Sequence, residues 1–222
     1  MEKRQFKNSV YTLLAQLIKA MANPHRLEIL DLLAQTGRTV EQIAAETAMS
    51  IANASQHLQV LKSSNLVDIQ REGNYIRYRL ADDKVYAAWN SLREVGFERV
   101  AAIDVLINDY RKKRGVLEAL SIEELLLRME TQTIVLLDIR PEEEFNAGHL
   151  PNALSIPYGK LSETMMTFSK SNKYVAYCRG PLCVFADDAV GMLKEKGFNA
   201  IRLKEGFPEW KLKGLPIETL QN

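Results

Sequence analysis

Apolar residues in the first third of the chain recur at the spacing of amphipathic helices. Between positions 6 and 21 they follow a period of 3.6 residues, which predicts a first helix there. The Asn23-Pro24 pair is typical of a cap and a first helical position, so a second helix is expected to about position 33. A short third helix is predicted at 40–47, and a fourth from Ile51 to about Asn65.

The third and fourth predicted helices are joined by a tight turn at 48–50, which is the helix-turn-helix pattern. Ile51, Ala54, Leu58 and Leu61 are expected to form one buried stripe of the fourth helix. Its polar positions suit base edges and phosphates, although an ordinary solvent-exposed face is the alternative. The predicted DNA-contacting residues are Ser50, Asn53, Ser55, Gln56, His57, Gln59 and Lys62.

A β-hairpin is predicted directly after the fourth helix, at 66–80. Apolar and polar residues alternate along both arms, and Gly73-Asn74 supplies the turn. Its tip and outer face carry Arg71, Arg77 and Arg79. A basic hairpin after a recognition-type helix is expected to contact phosphates or a minor groove.

The order of four helices, a hairpin and a further helix resembles the ArsR family of winged-helix repressors. The resemblance covers about residues 6–95 and is carried by the segments NPHRLEIL at 23–30 and SQHLQVLK at 55–62. It implies a homodimer on an inverted-repeat operator in double-stranded DNA, with the terminal helices forming the dimer.

The terminal helices carry enough apolar surface for such a dimer. Positions 83 to about 114 form one predicted helical run, about 48 Å long if unbroken. The alternative is that these helices pack only within one chain. The expected apolar face consists of Trp89, Leu92, Ile103, Leu106, Ile107 and Tyr110.

Many ArsR-type proteins sense metals, but the residues that would bind a metal are missing from this sequence. The second helix reads EILDLL at 28–33, without thiols, and no histidine lies between His57 and His149. We therefore predict no metal site and no cofactor.

Strands and helices alternate in the second half of the chain, which predicts an α/β domain with a mostly parallel sheet. The basic tetrad 111–114 marks the expected boundary and is either a solvated linker or a DNA-backbone contact. The expected domains are a mainly α winged helix at 1–114 and an α/β domain at 115–222. Strands are predicted at 133–139, 153–156, 174–177 and 200–203, and helices at 121–129, 141–146, 158–168, 184–196 and 208–213.

The second half resembles the rhodanese family over about residues 117–220. The front signature spans 138–153, the closing signature is EGFPEW at 205–210, and a six-residue loop lies between Cys178 and Cys183. The family implies that the Cys178 thiolate takes sulfane sulfur from a small donor such as thiosulfate or a persulfide and passes it to an acceptor. The front-signature residues Asp138, Arg140, Glu144 and His149 are expected to support the fold rather than catalysis.

The loop chemistry also follows from the residues themselves. Cys178 ends an apolar strand and precedes a helix, and such a position lowers the pKa of a thiol. Backbone N–H groups of the loop can form an anion nest. A cysteine phosphatase is disfavoured because it needs an arginine where Val184 stands. The sulfur- or anion-binding loop consists of Arg179, Gly180, Pro181, Leu182 and Cys183.

Two side chains of the loop have open alternatives. Arg179 either adds positive charge near the sulfur or points to solvent. Cys183 is either a small residue whose backbone matters or a resolving thiol that attacks oxidised Cys178. A direct disulfide would require Cα atoms within about 7 Å.

Composition and charge limit the class of protein and its expected location in the cell. The chain has 222 residues and a net charge of +1. Residues 1–115 hold 17 Lys/Arg and 13 Asp/Glu, against 12 and 15 in the remainder, which is a mild basic-to-acidic asymmetry. No apolar run approaches the roughly 18 residues of a membrane span, and the N-terminus resembles no signal peptide, so a cytoplasmic protein is expected.

Two functions follow from these patterns. The first is a DNA-binding regulator whose rhodanese domain senses or transfers sulfane sulfur and thereby changes operator affinity. The second is a rhodanese-type sulfurtransferase that acts on a thiol or cyanide acceptor, with a DNA-tethering domain and no coupling between the two.

Overall fold

The computed structural model describes residues 1–73 and 75–220. The chain forms two compact units, Met1–Trp89 and Asn90–Asn222. The second unit begins before the boundary expected at Arg114, and three arginines between 90 and 114 form ion pairs with residues of its α/β fold. These pairs are Arg93–Glu209, Arg111–Asp187 and Arg114–Asp188.

The first unit is a set of helices followed by a two-stranded antiparallel hairpin, as predicted. Its elements are α1 (Lys3–Met21), α2 (Pro24–Leu33), α3 (Val40–Glu46), α4 (Ile51–Ser63), β1 (Val67–Glu72) and β2 (Tyr75–Leu80). The predicted turn residue Gly73 has φ +58°, and its predicted partner Asn74 lies outside the described residues.

Side-chain caps define where these helices begin. Asn23 accepts the Arg26 amide at 3.3 Å, and Thr39 forms a reciprocal capping box with Gln42. The turn between α3 and α4 contains Ala48 at φ +53°. Each cap satisfies backbone N–H groups that the first helical turn leaves without partners.

The core of the first unit lies beneath the helix-turn-helix. Ala54, Leu58 and Leu61 of α4 are fully buried, as predicted. Ile51 is not: its side chain is 53% exposed, since it occupies the first position of the helix. The predicted buried stripe therefore begins one turn later.

The helical run predicted from 83 to 114 is broken at Val100. It forms α5 (Asp83–Arg99) and α6 (Ala101–Lys112), and Val100 has φ −111° and ψ 88°. The Val100 amide still donates to Gly96 O at 2.9 Å. Gly96 lowers the helix propensity just before the break. A Cβ atom added at Gly96 would lie 3.5 Å from Ile103 Cδ1.

The second unit is an α/β fold with a five-stranded parallel sheet, which confirms the predicted fold class. The strand order is β3-β7-β6-β4-β5. The strands are β3 (Ala119–Leu120), β4 (Ile134–Asp138), β5 (Leu154–Ser155), β6 (Lys173–Tyr177) and β7 (Asn199–Leu203). The helices are α7 (Ile122–Met129), α8 (Glu142–Ala147), α9 (Leu161–Thr164), α10 (Phe185–Glu195) and α11 (Phe207–Leu212).

The helix predicted at 158–168 is interrupted. A 3-10 turn at Tyr158–Lys160 precedes α9, and another at Met165–Thr167 follows it. The central strand β6 is buried on both faces. Tyr174 and Ala176 belong to one hydrophobic core, whereas Val175 and Tyr177 belong to the other. This alternation holds the end of β6 firmly in the middle of the sheet.

Among the described residues, no helix is both long enough and apolar enough to cross a membrane.

Candidate functional site

The cysteine loop begins at the carboxyl end of the central strand. Cys178 directly follows β6 and is only 3% exposed. The loop ends at Val184, after which α10 begins. The carboxyl edge of a parallel sheet is where open α/β folds place their ligand-binding groups. The structure thus places the predicted nucleophile at the expected edge.

The two cysteines meet across the loop. The structure joins Cys178 and Cys183 in a disulfide, with their Cα atoms 6.2 Å apart. That spacing lies within the range that a disulfide requires. The Cys183 amide donates to Gly180 O at 3.0 Å and closes a turn between them. In this form the Cys183 amide is therefore occupied by a backbone acceptor.

Glycines let the closing signature approach the loop backbone. A methyl group at Gly206 would collide with Gly180 N, Arg179 C and Cys178 O. Gly180 has φ +144°, a conformation that side-chain-bearing residues rarely adopt. The Phe207 amide donates to Cys178 O at 3.2 Å. The loop is thus held by backbone contacts as well as by its side chains.

Arg179 pairs with a buried carboxylate of the front signature. Its Nε donates to Glu144 Oε1 and Oε2 at 2.8 and 3.1 Å, and its Nη2 lies 2.5 Å from Oε1. The Glu144 side chain is fully buried, and that of Arg179 is 17% exposed. Of the two alternatives open for Arg179, solvent exposure does not describe this geometry, because the guanidinium is bound to α8.

A second buried ion pair lies behind the loop. Arg140 Nε donates to Asp138 Oδ1 at 2.9 Å, and both side chains are fully buried. Burial opposes the charge of Arg140, but the Asp138 carboxylate outweighs it and raises the pKa of the guanidinium. Arg140 Nη2 also donates to Gly148 O at 2.7 Å, so the pair links β4 to the turn after α8.

Tyr177 and His149 also form hydrogen bonds around the front signature. Tyr177 is fully buried, and burial raises the pKa of its hydroxyl. Its oxygen accepts the Leu150 amide at 3.1 Å. The His149 ring stacks on Phe145 at 3.6 Å, and its Nδ1 lies 2.8 Å from Phe145 O. All four front-signature residues are thus bonded to surrounding structure.

The predicted DNA-contacting residues of α4 differ in exposure. Gln56, Gln59 and Lys62 are exposed, whereas Asn53, Ser55 and His57 are half-buried. By helical spacing, Gln56 and Gln59 stand opposite the buried stripe, and the half-buried residues lie on its flanks. Ser50 accepts the Asn53 amide at 3.2 Å and caps the helix. Ser50 therefore has a structural role in addition to the predicted one.

A pair of histidines lies beside this helix. The rings of His25 and His57 are 5.4 Å apart. Partial burial lowers the pKa of His57, and the nearby positive charges of His25 and Arg26 lower it further. The neutral form of His57 is consequently favoured in the free protein.

The three hairpin arginines are not equivalent. Arg77 donates from Nη1 to Gly37 O at 2.9 Å, and its Nε lies 2.8 Å from Glu72 Oε2. Arg71 and Arg79 are exposed on β1 and β2. Arg77 thus ties the hairpin to the loop after α2, whereas the other two present their guanidinium groups to solvent.

The sequence patterns gave no role to Arg93 or Glu209, and they assigned Arg111 to a solvated linker or a DNA-backbone contact rather than to the cysteine loop. Arg93 and Glu209 pair across 116 positions of sequence, and Arg111 binds a loop carbonyl 70 positions away. Periodicity within a single helix does not identify such partners. Glu209 alone lies inside a signature, at the start of α11.

A winged helix-turn-helix followed by a rhodanese-type α/β unit defines a transcriptional regulator of two domains. Residues 21–70 match the family model of a helix-turn-helix domain, and residues 121–213 match that of the rhodanese-like domain. An HTH-type transcriptional regulator of Mycobacterium tuberculosis is 41% identical over 92% of this chain and 89% of its own length. The chain belongs to this family, the ArsR-type HTH transcriptional regulators with a C-terminal rhodanese domain.

Other relatives match one half of the chain. A putative sulfurtransferase of Bacillus subtilis is 30% identical over 36% of this chain and 76% of its own length. A homodimeric winged helix-turn-helix DNA-binding domain from Mycobacterium bovis is 41% identical, covering 45% of this chain and 91% of that one, with a TM-score of 0.42. A rhodanese-related protein of Thermoplasma volcanium is 23% identical, covering 47% of this chain and 99% of that one, with a TM-score of 0.42.

Proposed function

We propose that the protein is a homodimeric regulator that binds inverted-repeat DNA and whose rhodanese domain carries sulfane sulfur on Cys178. The sulfur state of the loop then alters operator affinity, with Cys183 as the resolving thiol. The observation that carries the proposal is the pairing of Cys178 with Cys183 at a Cα distance of 6.2 Å. Sulfur transfer alone needs only one thiol in the loop. A regulatory loop benefits from a second thiol, because the second thiol converts the persulfide into a disulfide that persists.

The chemistry proceeds in two balanced steps. The Cys178 thiolate attacks the sulfane sulfur of a persulfide donor. The rest of the donor leaves as a thiolate, and Cys178 becomes a persulfide. The Cys183 thiolate then attacks Cys178 Sγ and expels hydrosulfide, which leaves the disulfide. The two thiols supply the two electrons that reduce the sulfane sulfur to hydrosulfide. No external oxidant beyond the donor is needed.

Exposed apolar surface supports the homodimer. Residues Phe6, Leu13 and Ile18 of α1 are 54%, 65% and 62% exposed, and Leu106 of α6 is 71% exposed. An uncovered apolar face of this extent is typical of a helix that packs against another chain. Sedimentation velocity is expected to give a dimer, and Leu13→Glu is expected to weaken it.

The alternative is a sulfurtransferase that is tethered to DNA without coupling. It is favoured by the position of Cys178 at the carboxyl edge of the sheet, which a catalytic thiol would share. It predicts sulfur transfer from thiosulfate to cyanide that DNA does not affect, and an operator affinity that is independent of the sulfur state.

The deciding experiment measures DNA affinity in defined sulfur states. A duplex is selected from a random pool with both the dithiol and the polysulfide-treated protein, and binding is followed by fluorescence anisotropy. We expect the two forms to differ by about 5- to 150-fold, the usual range of allosteric coupling. Intact-mass spectrometry identifies the form present in each sample.

Two single substitutions separate the steps. Cys178→Ser is expected to abolish both sulfur loading and the affinity change. Cys183→Ser is expected to gain one sulfur atom and form no disulfide. Equal DNA affinity of all wild-type forms would contradict regulation and favour the sulfurtransferase, provided that sulfur transfer to cyanide is observed.

A further inference from the structure

Helix α6 is bonded directly to the cysteine loop. Arg111 donates from Nη2 to Pro181 O at 2.6 Å, and its Nε donates to Asp187 Oδ2 at 3.3 Å. The Arg111 side chain is only 12% exposed. Because Pro181 lies between the two cysteines, this hydrogen bond connects α6 to the part of the loop that the disulfide closes.

Helix α5 makes a second connection through Glu209. Arg93 Nη2 pairs with Glu209 Oε1 and also donates to Asn90 Oδ1 at 2.6 Å. Glu209 Oε2 accepts the Gly206 amide at 2.8 Å. Its Oε1 lies 3.2 Å from where a Cβ of Gly180 would stand. The carboxylate held by α5 therefore packs against the loop as well.

Apolar contacts add to these polar ones. Side chains of α6 and of the loop line a groove of about 310 Å³ beside Arg111. Its apolar lining consists of Leu106, Ile107, Tyr110, Pro181, Leu182 and Val184. The loop and α6 are thus neighbours along several residues, so a displacement of one alters the packing of the other.

We infer that Arg111 is a positioning residue that couples α6 to the oxidation state of the two loop cysteines. The inference rests on the proposed function, because it requires the loop to pass between dithiol and disulfide forms. The disulfide holds the Cα atoms of Cys178 and Cys183 at 6.2 Å and thereby restrains the Pro181 carbonyl. Reduction by an external thiol supplies two electrons and two protons and removes this restraint. Arg111 then keeps Asp187 and loses its loop acceptor.

Helix α6 is expected to respond to the loss of the hydrogen bond between Arg111 and Pro181. None of its twelve residues, all within the described part of the chain, is buried. Val105 and Leu106 are 58% and 71% exposed. Within its own protomer α6 therefore makes few buried contacts, and one charge-assisted hydrogen bond is a large part of what holds it to the cysteine loop. The change at the loop therefore becomes a change in how often α6 opens.

Hydrogen–deuterium exchange on the full-length protein tests this inference. The dithiol form is prepared with dithiothreitol and the disulfide form with polysulfide or, separately, with diamide. We expect amides at 101–112 to exchange faster in the dithiol form by on the order of tenfold, as for the loss of one charge-assisted hydrogen bond. In Arg111→Met the difference should fall below about twofold, with both forms resembling the wild-type dithiol.

Arg114→Met is the matched control. Arg114 lies on the following turn and pairs with Asp188 Oδ1 at 2.9 Å, the carboxylate next to that of Arg111. It makes the same kind of ion pair without binding the loop, so the wild-type exchange difference should remain. Arg111→Lys is the second variant: it keeps a cation near Asp187 but lacks the planar fork that reaches two acceptors, and it should also reduce the difference.

The inference would be overturned if the amides at 101–112 exchanged equally fast in the dithiol and disulfide forms of the wild type. It would also be overturned if Arg111→Met kept the same difference in exchange between its two forms as the wild type. DNA affinity measured in the same samples separates the two proposals. If α6 responds through Arg111 while DNA affinity stays constant, regulation fails and the inference stands. If polysulfide forms neither persulfide nor disulfide, the proposed sulfur chemistry fails, and the diamide-treated protein still decides the role of Arg111.

Discussion

Arg179, the residue directly after the loop cysteine, is held by the buried carboxylate of Glu144, with its Nε 2.8 and 3.1 Å from the two oxygens. The Arg179 guanidinium, one of whose predicted roles was to place positive charge near the sulfur, is part of an ion pair with Glu144. The front signature and the cysteine loop are thereby joined through one carboxylate. This contact accounts for the presence of an acidic residue at position 144 without giving it a chemical step.

Glu144→Gln is expected to destabilise the second unit by about 3 kcal/mol, because removal of one partner leaves a largely buried charge. The double variant Glu144→Gln/Arg179→Gln should lose less than the sum of the two single variants. Urea unfolding followed by Trp210 fluorescence, in a Trp89→Phe background, measures both. Additive losses would show that the pair contributes no coupling energy.

Gly206→Ala is expected to displace the cysteine loop, because its methyl group has no space beside the Cys178–Gly180 backbone. Overpacking of this kind costs about 1–3 kcal/mol, and backbone cannot yield as a side chain does. Gly159→Ala is the control, since nothing lies within 4 Å of the added methyl group, and it should stay within about 0.5 kcal/mol of wild type. Urea unfolding and the rate of disulfide formation provide the measurements. Equal behaviour of the two variants would contradict the packing described for Gly206.

Arg79→Gln should weaken DNA binding uniformly across sequences and lower the slope of log affinity against log salt by about one. Arg79 is exposed on β2, where a phosphate contact needs no rearrangement. Arg77→Gln should act differently, since Arg77 binds Gly37 O and Glu72. Its main effect is expected on the stability of the hairpin, measured by hydrogen exchange at 67–80. Identical salt slopes for both variants would contradict this division of roles.

His57 should titrate below its ordinary pKa of about 6.5. Partial burial, followed by the charges of His25 and Arg26, lowers the pKa of His57. A lowered folded-state pKa means that the unfolded chain binds the proton more readily, so the contribution to stability is complete above about pH 6.5 and is lost as the pH falls through the folded-state value. His25→Asn should move the pKa of His57 upward. NMR titration of the His57 ring protons measures it, and an unchanged value would mean that His25 contributes nothing.

Local patterns predicted most elements of the fold because their causes are local. The 3.6-residue spacing in α1, the Thr39 cap and the alternation along β2 each act within a few residues. The failures concern elements that hydrophobic spacing does not reveal. The two-residue strand β3 carries no pattern of its own and forms because Leu120 pairs with Leu203 of β7. The break at Val100 lies within a continuous apolar spacing, where helical periodicity gives no signal.

The candidate site divides in the same way. The signatures and the spacing of Cys178 and Cys183 located the loop and predicted its sulfur chemistry, since a strand end, a glycine turn and a helix start are consecutive in sequence. What Arg179 and Arg111 bind was not predictable. Their partners lie 35 and 70 positions away, and each guanidinium has several carboxylates and carbonyls to choose from.

The amino-acid sequence by itself determined the presence of two domains, the order of most of their elements and the position of the cysteine loop, because these depend on neighbours in the chain. Only the tertiary structure decided that Glu144 holds Arg179, that Arg111 holds Pro181, and that Arg93 pairs with Glu209. These contacts depend on which side chains the parallel sheet brings to one edge. The direction of a charged side chain is set by the burial and the hydrogen-bond partners that it finds there.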